Sequence, residues 1–469
     1  MTNFTLAPRT LTDAAAAIKD GSLTSTALVQ ETIEVADRYD TAVGMFIKRF
    51  DEQALEAAAA VDADIAAGKE VGPLAGIPLA VKDIITTKES ETTGQSIVHN
   101  REALSGDAVV VARLRAAGGL IVGKTTTMEF AIGSPDPAKP FPIPTNSWST
   151  GHWAGGSSSG SGSSVSLGAA YGALGTDTGG SIRIPSAFCG ISGLMPTYGR
   201  VPKSGCIPLG FSLDHIGPMA RSAADCALML DVLAGPHPSD PTTLDVPVQS
   251  YTGALTGDLI GVRVGIDGLE RISPEVMDSE TPAAFAAAVD VLKARGAEIV
   301  PIELPYFKEV SFANTFTMLS EALAYHLPDL QSQWDNYGVG TRKAIGSAIM
   351  FDAADYVQFQ RVRRMVVKIV HEIFTKVDLV VTPTAAAGAP TLQATFERRV
   401  KRGPMPMFTG YWNAMGNPAL SIPMGLASTG LPISLQVIGR PFDEALCLKA
   451  GDAYQGETDW HLRTPDPRA

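Results

Sequence analysis

Two serines set behind glycine pairs, and a lysine that closes an apolar run, are the residues of this chain best suited to chemistry. Ser157 follows Gly155 and Gly156. Ser181 follows Gly179 and Gly180, in the same stretch, GGSSSGSGSSVSLGAAYGALGTDTGGSIRI (residues 155–184). Lys82 stands in GIPLAVKD, directly after the apolar run Ile77–Val81. A nucleophilic serine needs a base to take its proton and N–H donors aimed at the oxyanion formed on attack. Glycines ahead of Ser181 let the backbone turn sharply and point several N–H groups into one small space. Ser157 and Lys82 supply a path for the proton. A lone lysine is ordinarily a solvated charge, but one that ends an apolar run is drawn inward.

Two other readings of the same stretch compete. A tract made only of Gly and Ser, residues 155–164, has the composition of a flexible linker. The small-residue apolar run VSLGAAYGALGT that follows it argues for a buried element instead. Gly156-Ser157-Ser158-Ser159-Gly160 also satisfies the G-x-S-x-G elbow, with Ser158 as nucleophile. That elbow needs an acid and then a histidine downstream. His326 and His371 are available, and His371 lies in a helical pattern, VVKIVHEIF.

The elements that must position these residues alternate in type. Helices are expected over Thr12–Lys19, Thr24–Tyr39 and Asp51–Ala67. A strand (Ile77–Val81), a helix (Ala108–Ala117) and a strand (Leu120–Val122) follow in βαβ order. After the Gly/Ser core comes a helix at Ala223–Leu233, closed by Gly235-Pro236, and an exposed connection through Pro247. Val262–Ile266, Pro282–Arg295 and Glu298–Ile302 repeat strand, helix, strand. Helices at Phe312–His326 and Asp352–Phe374, strands at Leu379–Val381, Leu420–Ile422 and Ile433–Val437, and a helix from Asp443 complete the chain. Strands alternating with helices predict an α/β layered architecture with helices on both faces of the sheet.

The chain resembles the amidase signature family over nearly its whole length. The resemblance is carried by GIPLAVKD (Gly76–Asp83), GKTTTMEFAIGS (Gly123–Ser134), GGSSSGS (Gly155–Ser161), GTDTGGSIRIPSAFCGISGLMPTYGRV (Gly175–Val201) and SLDHIGPMARSAADCALML (Ser212–Leu230). NPALSIPMG (Asn417–Gly425) and GLPISLQVIGRPFDE (Gly430–Glu444) match more loosely. The resemblance implies an α/β fold with a single large mixed β-sheet flanked by helices on both faces. It implies one domain over residues 1–469: N-terminal helices (1–70), a catalytic core (71–235), a variable substrate-entrance region (236–375) and the C-terminal part of the core (376–469). It implies a Ser–cis-Ser–Lys triad with Ser181 as nucleophile, Ser157 as bridging serine after a cis peptide, and Lys82 as base. The N–H groups of Thr178, Gly179, Gly180 and Ser181 are then the expected oxyanion donors. Ser158, Asp177 and Arg183 match positions that brace the triad. No cofactor is implied.

Substrate choice is less constrained. Family members take fatty or aryl amides, malonamate-like acids, carbamates or glutamine, the last within tRNA-dependent amidotransferases. Here the loop Asp136–Pro144 reads DPAKPFPIP where glutamine users are polar. The segment PMPMFTGYW lacks their acidic element, and Met405, Met407, Phe408, Tyr411 and Trp412 make it apolar. Such residues suit a pocket or a core equally. Met128, Ile207, Phe408 and Trp412 are the expected substrate contacts. The expectation is a stand-alone amidase acting on neutral amides, anilides, carbamates or aryl esters. The alternative is the glutamine-hydrolysing component of a tRNA-dependent amidotransferase.

Composition agrees with such an enzyme. A net charge of −12 over 469 residues argues against a nucleic-acid partner. The basic groups at Arg361–Arg364 and Arg398–Arg402 read as solvated faces. The four cysteines (Cys189, Cys206, Cys226, Cys447) show no metal-ligand spacing and suit a reducing, cytoplasmic setting. No nucleotide or metal motif, membrane span or secretory signal is apparent. The expected partner is a small amide or carbamate; homodimerisation is left open.

Overall fold

The computed structural model describes residues 4–7, 9–98, 105–401 and 407–467. Thirteen strands follow in chain order among them: β1 (Phe4–Leu6), β2 (Phe46–Arg49), β3 (Pro78–Lys82), β4 (Leu120–Thr125), β5 (Gly172–Asp177), β6 (Ser192–Met195), β7 (His215–Ala220), β8 (Arg263–Ile266), β9 (Glu298–Pro301), β10 (Leu379–Pro383), β11 (Ala419–Leu426), β12 (Pro432–Ile438) and β13 (Arg463–Pro465). β1 and β13 pair alone. The other eleven form one mixed sheet in the order β2-β4-β3-β5-β7-β6-β11-β12-β10-β8-β9. The triplet β4-β3-β5 is parallel, and β5 meets β7 antiparallel. Fourteen α-helices among the described residues surround this sheet.

Strand alternation shows why both faces are covered. In β3, Leu79 and Val81 join one apolar cluster while Ala80 joins another. In β5, Leu174 and Ala173 divide in the same way. Side chains of successive strand residues point to opposite faces, so a sheet apolar at both parities needs a layer on each side. All residues of β3, β4 and β5 are buried.

The Gly/Ser tract is the helix Ser159–Leu167, and every residue in it is buried. It is not a linker. At Gly160 an added Cβ would run into the backbone of Met45 and Thr126. The serine hydroxyls are satisfied internally, Ser161 on Leu174 O, Ser163 on Thr145 O and Ser166 on Cys189 O. Small residues here let a helix lie close to the sheet's centre, and hydroxyl bonds remove the cost of burying polar atoms.

Elements with strong periodicity fall within a few residues of expectation, and Ala223–Leu233 is reproduced without change. The helix expected at Phe312–His326 runs longer, Phe307–Gln333, with Pro328 inside it. β1, β2, β6, β7 and β13 have no counterpart among the expected elements. They are short or carry glycine and proline, and tertiary pairing rather than local propensity makes them strands.

Candidate active site

Lys82 is the last residue of β3, and β5 runs parallel beside it. β5 ends at Asp177, and the chain then turns through Thr178-Gly179-Gly180-Ser181 into the helix Arg183–Cys189. The other serine turn, Gly155–Ser158, leads into the helix Ser159–Leu167. The two turns are joined by a bond from Ser158 N–H to Ser181 O, 3.2 Å. The Gly156–Ser157 peptide is cis.

Lys82 Nζ donates to Ser157 Oγ at 2.7 Å and to Thr176 Oγ1 at 2.6 Å. Its side chain is completely buried, and among the described residues it has no carboxylate within ion-pair distance. Burial lowers its pKa to about 7, although the charges of Asp177 and Asp214 pull the other way. Lys124, equally buried, makes the useful contrast. Burial lowers its pKa too, but its ammonium lies 3.0 Å from Asp83, which opposes that shift. Of two buried lysines, the one beside hydroxyls is suited to be a neutral base and the one beside a carboxylate is suited to stay an ion.

Ser181 is half-buried, whereas Ser157 and Ser158 are buried. Ser158 Oγ donates to Thr176 O and accepts from Thr176 N, both at 3.2 Å. A hydroxyl held on both sides by one backbone residue is a brace, not an available nucleophile. His371 is exposed on its helix, and His326 is buried against Phe130 with Nδ1 on Tyr337 Oη. The elbow arrangement around Ser158 therefore lacks an accessible serine.

Asp177 and Arg183 are fully buried and paired. Burial alone would raise the Asp177 carboxyl, but Arg183 and Asn413 hold it well below the usual range. Its oxygens accept from Arg183 Nε and Nη2, from Asn413 Nδ2, and from the N–H groups of Gly180 and Ile182. Arg183 also reaches Thr409 O, Gln436 Oε1 and Asn413 Oδ1. A buried pair with its bonding capacity filled fixes the start of the helix behind Ser181.

One expected oxyanion donor is corrected. The Gly180 N–H is 2.6 Å from Asp177 Oδ1 and is spent there. Among the described residues the N–H groups of Thr178, Gly179 and Ser181 donate to no protein acceptor.

Two expected substrate contacts are also corrected. Phe408 and Trp412 are 1% and 0% exposed, packed in the core with Phe307 and Tyr411. Large rings with a helix to cover them gain more by leaving water altogether than by lining a wet pocket. Met405 lies outside the described residues. Met128 packs over Gly156, and its N–H donates to Ser157 O at 3.2 Å. Ile207 borders a cavity of about 220 Å³ beside β5, together with Thr176, Thr178, Cys206, Asp214 and His215. An apolar groove shares Pro208, Leu209 and Phe211 with that cavity and continues to Tyr325, Tyr356 and Val357.

Thr176, Asn314, Thr409 and Asn413 contribute to the site beyond the residues expected there. Thr176 sits inside GTDTGG, a signal that could have found it. The other three are single polar residues far along the chain, and only the fold brings them to the turn.

Comparison with known proteins shows the family and the fold. The Amidase family model matches residues 27–448. The A-type component of the glutamyl-tRNA(Gln) amidotransferase of Chloroflexus aggregans is 38% identical, over 97% of this chain and 98% of the relative. A Mycobacterium bovis protein with the provisional name amidase AmiD is 36% identical, over 97% and 95%. Among solved structures, the peptide amidase of Stenotrophomonas maltophilia superposes with a TM-score of 0.83 at 29% identity, covering 98% of both chains.

Proposed function

Given that this chain belongs to the amidase signature family, we propose that it hydrolyses the carbon–nitrogen bond of small amides through an acyl-enzyme on Ser181. Neutral Lys82 takes the proton of Ser157, and Ser157 takes that of Ser181 as its Oγ attacks the carbonyl carbon. The oxyanion is received by the N–H groups of Thr178, Gly179 and Ser181. The proton returns through Ser157 to the leaving nitrogen, which departs as an amine, and water then attacks the ester in the same manner. Asp177, Arg183 and Ser158 hold the two serine turns in register.

The observation that carries this reading is the buried Lys82 amine, 2.7 Å from Ser157 Oγ and, among the described residues, without a carboxylate at ion-pair distance. A lysine's free pKa is about 10.4, so the shift to about 7 leaves a substantial neutral fraction at neutral pH. The apolar groove running from the cavity suits a neutral substrate with an aryl or alkyl arm, including anilides, carbamates and aryl esters. Residues 236–375 supply the outer wall of that groove through Tyr325, Tyr356 and Val357.

A second reading, the glutamine-hydrolysing component of an amidotransferase, is favoured by the 38% identity to such a protein. The purified chain alone, offered glutamine, an aliphatic amide, an anilide, an aryl ester and an aryl carbamate, separates the two. Cleavage of the anilide without a partner is expected. Ammonia release from glutamine, dependent on a second protein and tRNA, would replace the proposal with the second reading. No turnover of any substrate by the chain alone would remove the first reading, and no ammonia release with the second protein and tRNA added would remove the second.

A further inference from the structure

The turn that carries Ser181 is built around two adjacent glycines, which by themselves confer little rigidity. Its carbonyls are nevertheless all engaged. Asp177 O accepts from His215 Nδ1 at 3.0 Å. Thr178 O accepts from Asn314 Nδ2 at 3.2 Å, and Gly179 O from Thr409 Oγ1 at 2.7 Å. Gly180 O accepts from Ile184 N at 2.7 Å. In a planar trans peptide the C=O and the following N–H point in opposite directions. Anchoring a carbonyl therefore aims the N–H on the other side of the same peptide. The bond from Asn314 sets the direction of the Gly179 N–H. The bond from Thr409 sets that of Gly180, whose N–H meets Asp177.

We infer that Asn314 and Thr409 are positioning residues for the oxyanion turn: Asn314 aims the Gly179 N–H, and Thr409 fixes the intervening Gly179–Gly180 peptide, whose own N–H is spent on Asp177, between the donors Gly179 and Ser181. They act through the carbonyls of Thr178 and Gly179 and make no contact with the reacting atoms. Both are buried, 2% and 0% exposed. They come from separate places in the fold: Asn314 from the helix Phe307–Gln333, and Thr409 from the residue before the helix Gly410–Met415. Gly180 belongs to the same device. At its φ of 125° an added Cβ would overlap the Thr409 side chain, so a side chain at residue 180 and the Thr409 bond exclude each other. The consequence is that a helix within the segment expected to vary most reaches the part of the site that stabilises developing charge. This inference rests on Ser181 being the nucleophile.

The test compares Thr409→Val, nearly the same shape without the hydroxyl, with Thr409→Ser, which keeps it. Asn314→Ser, which draws the donor back from Thr178 O, is the second position. Four quantities are read for each: kcat and KM on an amide, Ki for a trifluoromethyl ketone, which forms a tetrahedral oxyanion adduct, and Ki for the product acid. Misplaced donors should lower kcat about 10- to 100-fold and weaken the ketone by a matching factor. KM and product-acid binding should stay within about threefold, and Thr409→Ser should lie near the wild type. A drop in kcat with unchanged ketone affinity, a rise in KM alone, or Thr409→Ser no better than Thr409→Val would overturn the assignment. If Thr409→Val does not fold, Asn314→Ser decides on the same readings. Stoichiometric sulfonyl fluoride labelling of wild-type Ser181 checks the premise separately. Without that label the underlying reading fails, whatever the variants show.

Discussion

The proposed mechanism concentrates the chemistry of the site in one protonation state of Lys82, which pH can expose. The free enzyme should gain kcat/KM as pH rises through about 7, where Lys82 loses its proton. Lys82→Arg should remove that rise and cost several orders of magnitude on amides, since guanidinium does not deprotonate. Stability moves in the same direction. The unfolded lysine binds a proton up to about pH 10.4, whereas the folded one releases it near 7, so the unfolded state binds more protons between those values. Wild-type stability should therefore rise with pH from about 7 to about 10 relative to Lys82→Met. Chemical denaturation of both proteins across that range checks this, and parallel curves would mean that Lys82 stays charged when folded. Ser157 offers a second test. Ser157→Ala should depress amide turnover more than aryl ester turnover, because an amine needs the returned proton and an aryloxide does not. Equal losses on both would make Ser157 a structural residue only. These residues are legible in the sequence because each lies in a dense local motif. Thr409 and Asn314 are not, because a single polar residue has no local signature and acquires its partner only through the fold.

The elements around the site are held by polar groups that the helix Ser159–Leu167 and the Asp177–Arg183 pair bury completely. Arg183→Met should leave the Asp177 carboxylate buried with a lost partner and cost about 3–5 kcal/mol, seen as a lower Tm and a lower denaturant midpoint. A loss below about 1 kcal/mol would mean that Asn413 and the turn's N–H groups hold Asp177 without the arginine. Gly160→Ala should destabilise as well, by at least ~1–3 kcal/mol, because the new methyl meets backbone rather than a side chain that can move. The same elements show how far sequence patterning reaches. Ala223–Leu233 is a continuous run of helix-forming, mostly apolar residues with a serine cap before it and a Gly-Pro stop after it, and its limits are readable. β6 and β7, SGLM and HIGPMA, offer no alternation, and pairing with β5 and β11 makes them strands. Phe408 and Trp412 illustrate a further limit. Aromatic residues near a motif have the same composition in a pocket wall as in a core, and only the packing of Phe307 and Tyr411 on them decides which.

Across the whole molecule, one eleven-stranded sheet brings residues 82, 157, 181, 314 and 409 to a single place. The family resemblance implies a large mixed sheet, and that is what the chain forms. The order of its strands is not readable from sequence, because neighbours such as β6 and β11 lie more than two hundred residues apart. Among the described residues no helix is long and apolar enough to cross a membrane. Within this frame the proposed nucleophile is Ser181, activated through Ser157 by a neutral Lys82. Fluorophosphonate labelling as a function of pH, with the adduct mapped by mass spectrometry, addresses all three residues at once. The label should appear on Ser181, at a rate that rises with pH and levels off above about 7, and should be lost in Lys82→Arg. Label on Ser158, or Lys82→Arg labelled at the wild-type rate, would contradict this assignment.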